Sequence, residues 1–242
     1  MTWTFQISTK NNKKTVPYFD LSKEEIAFPP AYFADLDGLV ATGGDLSVQR
    51  LVLAYNSGIY YWHFPLKQIK WWSPDPRTIL LLDSFKFSPD RLQHLKDQFT
   101  ALLSNDLEKV FRACQKFYNI RDRMDNNWLS ERAFRSFMEL HQKGLVKVVE
   151  IWKDNLLVGG LFGVAIGKMF FGEYLFSEIQ GAGEFALLCL IKNLKEKEFY
   201  LIDMQKETMF TAGFDYDELS RIEYVSLCKE NAEKYRDSYK QV

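Results

Sequence analysis

The sequence predicts a mixed α+β / α/β chain in two parts, a smaller N-terminal α+β domain over residues 1–90 and a larger domain over 91–242. Three observations carry that prediction. Up to about residue 90 the chain is dense in aromatics, Pro, Gly and Asp, with turn signals at Phe28-Pro29-Pro30, Asp37-Gly38 and Gly43-Gly44-Asp45. Between residues 89 and 143 apolar residues recur at helical spacing. Beyond residue 145, short apolar stretches are broken at Asp154-Asn155 and Gly167, the punctuation of strands.

In chain order, Asp45 or Ser47 caps a short helix over 47–57, with Leu51, Val52 and Tyr55 at helical spacing. The stretch Trp71-Trp72-Ser73-Pro74-Asp75-Pro76-Arg77 is extended or turned, because two prolines bar a regular helix. A helix is expected over 89–104, where Leu92, Leu95, Phe99 and Leu102 or Leu103 recur every three or four residues. A second covers 106–118, burying Leu107, Val110 and Phe111. Ser130 caps a third, which runs to Lys143 and is ended by Gly144. Strands over 146–153, 156–166 and 168–176, a helix over 181–197 and a strand over 199–205 then give the order β-β-β-α-β. A meander followed by a crossover helix and strand is the signature of an acyltransferase-like domain. A last strand from Arg221 through Glu223 to Leu227 precedes a polar, frayed stretch over 229–242.

Composition excludes several classes. The 31 Lys+Arg against 32 Asp+Glu leave a net charge of -1, so no global basic field advertises nucleic acid or a membrane surface. Cys114, Cys189 and Cys228 show no CxxC spacing, and His63, His94 and His141 form no metal motif, which fits a reducing cytoplasm without metal. The first 14 residues turn polar and lysine-rich, unlike a signal peptide, and no apolar run reaches the ~18–20 residues of a membrane span. Phosphate-loop, dinucleotide-fold and serine-elbow motifs are absent. Aromatics are in surplus at 16% of the chain, which suggests apolar pockets or stacking platforms as well as packing.

Ordered blocks from about residue 28 to 221 resemble the leucyl/phenylalanyl-tRNA–protein transferases. They include residues 38–47, 54–62, the Trp71-to-Arg77 string, Asn127-Trp128-Leu129, residues 140–144, Glu150-Ile151-Trp152, residues 157–163, Phe171-Gly172-Glu173 and residues 201–205. The resemblance implies a GNAT-like acyltransferase domain behind a smaller N-terminal domain. It implies a cytoplasmic enzyme of the N-degron pathway, and a monomer is expected. Such enzymes move Leu or Phe from aminoacyl-tRNA to a protein's free N-terminus, commonly Lys or Arg, with no metal or cofactor; because an apolar pocket discriminates poorly by size, Met is a further expected near-cognate donor.

By the same resemblance Asp203, Gln205 and Glu173 form the catalytic set. Residues two apart on a strand share a face, so Asp203 and Gln205 are expected in one cleft, Gln205 orienting the attacking amine and Asp203 raising its basicity or holding it. Glu173 suits a cationic amino group. Leu161, Phe170, Leu175, Leu187 and Ile202 match the donor side-chain pocket, and Trp62 and Trp128 the site of the tRNA's 3′-terminal adenosine. For Arg77 a phosphate contact and a carboxylate bridge are equally open. Arg91, Lys96, Arg112 and Lys116 are scattered candidates for the acceptor stem, and solvated helix faces explain them better. Taken alone, the acids and amide read as surface strand residues, the apolar set as ordinary core and the tryptophans as packing.

The chain departs from the family pattern at Tyr60-Tyr61, Tyr174, residues 181–184 (where an acid, Glu184, replaces a lysine) and residues 209–213. Two rival readings follow. One is an acetyl-CoA-dependent acetyltransferase, suggested by Gln180-Gly181-Ala182-Gly183 before a helix, though Glu178 and Glu184 would repel a pyrophosphate. The other is a non-catalytic homologue that binds tRNA ends or peptides.

Overall fold

The computed structural model describes residues 4–6, 18–62, 68–122, 129–206 and 214–239. A five-stranded sheet gathers β1 (Thr4–Gln6), β2 (Tyr18–Leu21), β3 (Leu39–Gly43), β4 (Tyr60–Tyr61) and β5 (Lys70–Trp72) in the order β1-β2-β3-β5-β4. Helix α1 (Val48–Asn56) links β3 to β4, and the Ser47 hydroxyl caps it by accepting from the Arg50 N–H at 3.4 Å.

A seven-stranded sheet holds β6 (Arg77–Leu81), β7 (Thr100–Ser104), β8 (Val146–Lys153), β9 (Leu156–Ile166), β10 (Met169–Ser177), β11 (Leu201–Gln205) and β12 (Asp217–Leu219). Its order is β12-β6-β11-β10-β9-β8-β7. Helices α2 (Pro89–Gln98), α3 (Leu107–Asp122), α4 (Glu131–Gln142), α5 (Ala182–Glu196) and α6 (Arg221–Lys234) accompany it. The expected antiparallel meander is β8-β9-β10; α5 then crosses over and β11 lies parallel to β10. The α+β class and the acyltransferase-like element order therefore hold.

Two elements differ from the sequence expectation. The helix expected over 89–104 stops at Gln98, because Phe99 is extended (φ −134°, ψ 149°) and residues 100–104 pair with β8. Leu102 and Leu103 keep helical spacing from Phe99 yet are half exposed on an edge strand, so their periodicity was coincidental. The strand expected from Arg221 to Leu227 is helix α6. Ser220 and Glu223 form a capping box there, the hydroxyl accepting from the Glu223 N–H and the carboxylate from the Ser220 N–H.

The change of sheet falls between Trp72 and Arg77, ahead of the boundary expected at residue 90, because the apolar run of β6 pairs with β11 and β12. Side chains alternate across the large sheet and feed two cores. Val148, Phe162 and Phe171 join Val40 and Trp71 of the five-stranded sheet, Tyr55 of α1, α3 and α4, whereas Val149, Leu161 and Phe170 meet α5. Gly163 permits this crowding: a Cβ there would lie 2.3 Å from the Phe171 carbonyl oxygen and 2.4 Å from the Phe170 ring. Each fully buried Phe contributes about 1.5–3 kcal/mol relative to exposure.

Candidate active site

A cavity of about 280 Å³ opens where the two sheets meet. β4 and β5 supply Tyr60, Tyr61, Trp62 (just past β4) and Trp72; α3 supplies Tyr118; β10 supplies Glu173 and Tyr174; the end of β11 supplies Met204, Gln205 and Lys206. Six of these ten side chains are aromatic, which gives the surplus in composition a location.

Glu173 and Gln205 reach the cavity by the same backbone device. The β10–β9 register shifts between Gly172 and Tyr174, and the β11–β6 register shifts between Asp203 and Gln205. Each shift is a bulge, an extra residue that interrupts alternation and re-aims a side chain. The strands are neighbours, with Phe171 opposite Asp203, so the two bulges lie side by side. Gln205 adopts φ +65°, a left-handed conformation rare for a residue with a Cβ. Its side-chain Nε2 donates to the Gly172 carbonyl at 3.0 Å. Since that carbonyl can only accept, the amide orientation is fixed and Oε1 is the atom left to receive an amine N–H.

Tyr55 donates its hydroxyl hydrogen to Glu173 Oε1 at 2.7 Å. Burial pushes the Glu173 pKa up to about 8, with the nearby Asp203 charge adding to it and the Tyr55 hydrogen bond opposing it. The same environment drives the Tyr55 hydroxyl well above its usual range, chiefly by burial and then by Glu173.

Asp203 does not share the cavity with Gln205, contrary to the spacing argument. It is 1% exposed and lies beneath, where Oδ1 accepts from Arg77 Nε at 2.8 Å and Oδ2 from Arg77 Nη2 at 2.6 Å. The bulge is the reason: two-residue spacing sets a common face only on a regular strand. Oδ1 also accepts the backbone N–H of Gln205 at 2.8 Å. Arg77 is likewise 1% exposed, so of its two readings the carboxylate bridge holds and a phosphate contact is not where its guanidinium lies. Burial works against its charge, but Asp203 beside it keeps its pKa above the usual arginine range.

Leu161, Phe170, Leu187 and Ile202 come together in the core under α5, each at most 4% exposed, with partly buried Leu175 packed against them. Met204 packs on the same core and also lines the cavity, so it joins the two. Trp62 sits on the cavity wall, 6.2 Å from the Trp72 ring in an edge-on arrangement. Trp128, His63 and residues 209–213 lie outside the described residues. Of the acceptor-stem candidates, Arg91 pairs with Glu184 at 2.5 Å and Arg112 with Glu131, while Lys96 and Lys116 are exposed.

Sequence reasoning missed Trp72, Tyr118 and Lys206 as wall residues. Trp72 stood in a quoted motif without a role; Tyr118 and Lys206 carried no signal of their own. Two amides of the Gly181–Gly183 turn are engaged internally: the Gly183 N–H bonds the Ser177 hydroxyl at 2.9 Å and the Ala182 N–H the Ile179 carbonyl at 3.1 Å. Amides so engaged do not form a pyrophosphate cradle, which counts against the acetyl-CoA reading. Among the described residues no cluster of His, Cys, Asp or Glu is placed to hold a metal, and no helix is long and apolar enough to cross a membrane.

The family model described as leucyl/phenylalanyl-tRNA protein transferase matches residues 79–229, and the corresponding N-terminal domain model matches residues 44–75. The leucyl/phenylalanyl-tRNA–protein transferase of Hydrogenovibrio crunogenus is 39% identical over 219 residues, 89% of this chain and 85% of that protein. That of Syntrophobacter fumaroxidans is 39% identical over 217 residues, 89% of this chain and 92% of that protein. Among solved structures, the PaiA N-acetyltransferase of Thermoplasma acidophilum with coenzyme A is similar over 42% of this chain and 74% of that chain, at a TM-score of 0.35 and 15% identity. With both sheets reached by the family models and 89% of its length aligned to such relatives, this chain belongs to the leucyl/phenylalanyl-tRNA protein transferase family.

Proposed function

We propose that this chain transfers Leu or Phe, with Met as a near-cognate donor, from aminoacyl-tRNA to the N-terminal α-amine of a protein. Its acceptors begin with Lys or Arg, and it acts as a cytoplasmic monomer that marks proteins for degradation. The observation that supports this most is the pairing of two bulges that sets Glu173 and Gln205 in one aromatic-walled cavity, in a chain of this family.

An aminoacyl ester is already activated, so no enzyme-bound intermediate is required; the protein must bring an amine to the ester carbonyl and manage one proton. In the proposed step the amine nitrogen bonds the carbonyl carbon, the ester C–O bond breaks, and the amine's proton ends on the departing ribose hydroxyl. Gln205 Oε1 receives one N–H and orients the amine. Glu173, whose pKa of about 8 lies close to working pH, takes the proton and returns it. Asp203 acts on the amine through Gln205. Trp62 and Trp128 stack the terminal adenine, an interaction of about 1–3 kcal/mol per base. The donor side chain enters past Met204 and Leu175 toward Leu161, Phe170, Leu187 and Ile202; one methylene there is worth roughly 1–3 kcal/mol, which is why Met passes.

A charged-tRNA pool carrying radiolabelled amino acids, offered to peptides that differ only in the first residue, tests this. Label from Leu, Phe and Met on peptides with a free α-amine is the expected result. No transfer from any charged tRNA would overturn the enzyme reading.

A further inference from the structure

Arg77 is a large cation with almost no contact with solvent, and the cavity does not include it. Its guanidinium carbon lies 4.7 Å from the Tyr60 ring centroid and 4.6 Å from that of Tyr224, so it is clamped between two rings. Nη1 donates to the Gly58 carbonyl at 3.4 Å, and Nε and Nη2 grip both oxygens of Asp203. Both carboxylate oxygens of Asp203 are thereby held by one side chain. Asp203 Oδ1 in turn holds the Gln205 N–H at 2.8 Å, at the one residue beyond the β11 bulge that sits at φ +65°.

We propose that Arg77 is a positioning residue for the attack step. It holds Asp203 so that Asp203 locks the left-handed backbone of Gln205, which aims Oε1 at the amine. This inference rests on the transfer reaction proposed above. Left-handed backbone at a non-glycine residue persists only where its surroundings over-determine it, and the Asp203 bond is what does so here. Lysine cannot replace the fork: a point charge neither bonds both carboxylate oxygens in one plane nor fills the slot between two rings. Tyr60 links the clamp to the cavity, since the same ring packs on Arg77 and forms part of the wall.

The test is a kinetic cycle with an independent structural readout. Arg77→Lys should lower kcat roughly 10- to 100-fold, the cost of a misplacement of about 1 Å, while leaving the KM for aminoacyl-tRNA near that of the parent. The double variant Arg77→Lys/Gln205→Ala should be no slower than Gln205→Ala alone, because Arg77 acts only through Gln205. Losses that multiply would overturn the proposal, as would a fall confined to KM. If Arg77→Lys does not fold, Tyr224→Leu, which removes one face of the clamp, goes through the same cycle with the same criteria. Independently of turnover, the Gln205 side-chain amide resonance in 15N-labelled protein, assigned by its loss in Gln205→Ala, should lose its hydrogen-bonded shift in Arg77→Lys. An unmoved resonance contradicts the proposal even in protein that shows no transfer; absence of transfer by the parent contradicts the function proposed above instead.

Discussion

At the scale of single residues, Glu173 and Asp203 show how little a carboxylate's place in the sequence says about its work. Glu173 lies in the cavity with a pKa raised from 4.5 to about 8, chiefly by burial. Between those values the folded chain keeps a proton that the unfolded chain releases, so this group's contribution to stability is whole below pH 4.5 and is lost as pH rises through about 8. Glu173→Gln should therefore raise Tm relative to the parent at pH 8 and lose that advantage below pH 4.5, by calorimetry across that range. The Tyr55 hydroxyl pulls the pKa down, so Tyr55→Phe should move the rising limb of the rate–pH profile to higher pH. The acceptor's own α-amine titrates near pH 7.7–8.0, so parent and variant are compared on one peptide. Asp203 and Arg77 form a fully buried pair, and truncating either to Ala should cost about 3–5 kcal/mol in urea unfolding, because the partner's charge is left unmatched. The sequence brought Asp203, Gln205 and Glu173 into one list. It could not tell which line the cavity, because that depends on a bulge and on a partner, Arg77, 126 residues away in the chain.

At the scale of elements, the meander, the crossover helix and the parallel strand were readable from β-periodicity and from Gly167 and Gly144. The misreadings have local physical causes. Ser220-Arg221-Ile222-Glu223 is a capping-box signature, and two turns of helix fold behind it where apolar spacing alone read as strand. Ser220→Ala should destabilise the protein by about 0.5–2 kcal/mol and fray α6 first, seen as faster amide exchange at its N-terminal turn. β7 hides behind α2 because on this edge strand Ala101 alone of the apolar residues packs on the core while Leu102 and Leu103 are half exposed, so no apolar alternation announces it. The β10 bulge had a visible cue in Gly172, an isolated glycine within an apolar strand. The β11 bulge had none, since Met204 and Gln205 are unremarkable residues until their register against β6 is known.

At the scale of the whole molecule, the five-stranded and seven-stranded sheets share one core, in which Tyr55 meets Phe171 at 4.8 Å and Tyr61 meets Phe137 at 6.0 Å between ring centroids. Urea unfolding followed by tryptophan fluorescence and by far-UV circular dichroism should thus give coincident single transitions; two separated midpoints would show sheets that unfold independently. The cavity is built across this junction: β4 and β5 bring four of its six aromatic side chains, and β10 and the end of β11 bring Glu173, Gln205 and Lys206. On the proposed function, with a net charge of -1 and with Arg91 and Arg112 paired to acids, the affinity for the tRNA end should depend only modestly on salt, as a titration of binding against ionic strength would show. The central claim is that Glu173 and Gln205 carry the transfer within this cavity. Single-turnover transfer from leucyl-tRNA to a peptide beginning with Arg, at saturating enzyme, addresses it most directly. Glu173→Gln and Gln205→Ala should each slow the chemical step by roughly 10²–10⁴-fold, the range for positioned proton transfer, with leucyl-tRNA binding retained. Parent-like single-turnover rates in both variants, or losses that match their losses in tRNA binding, would contradict it.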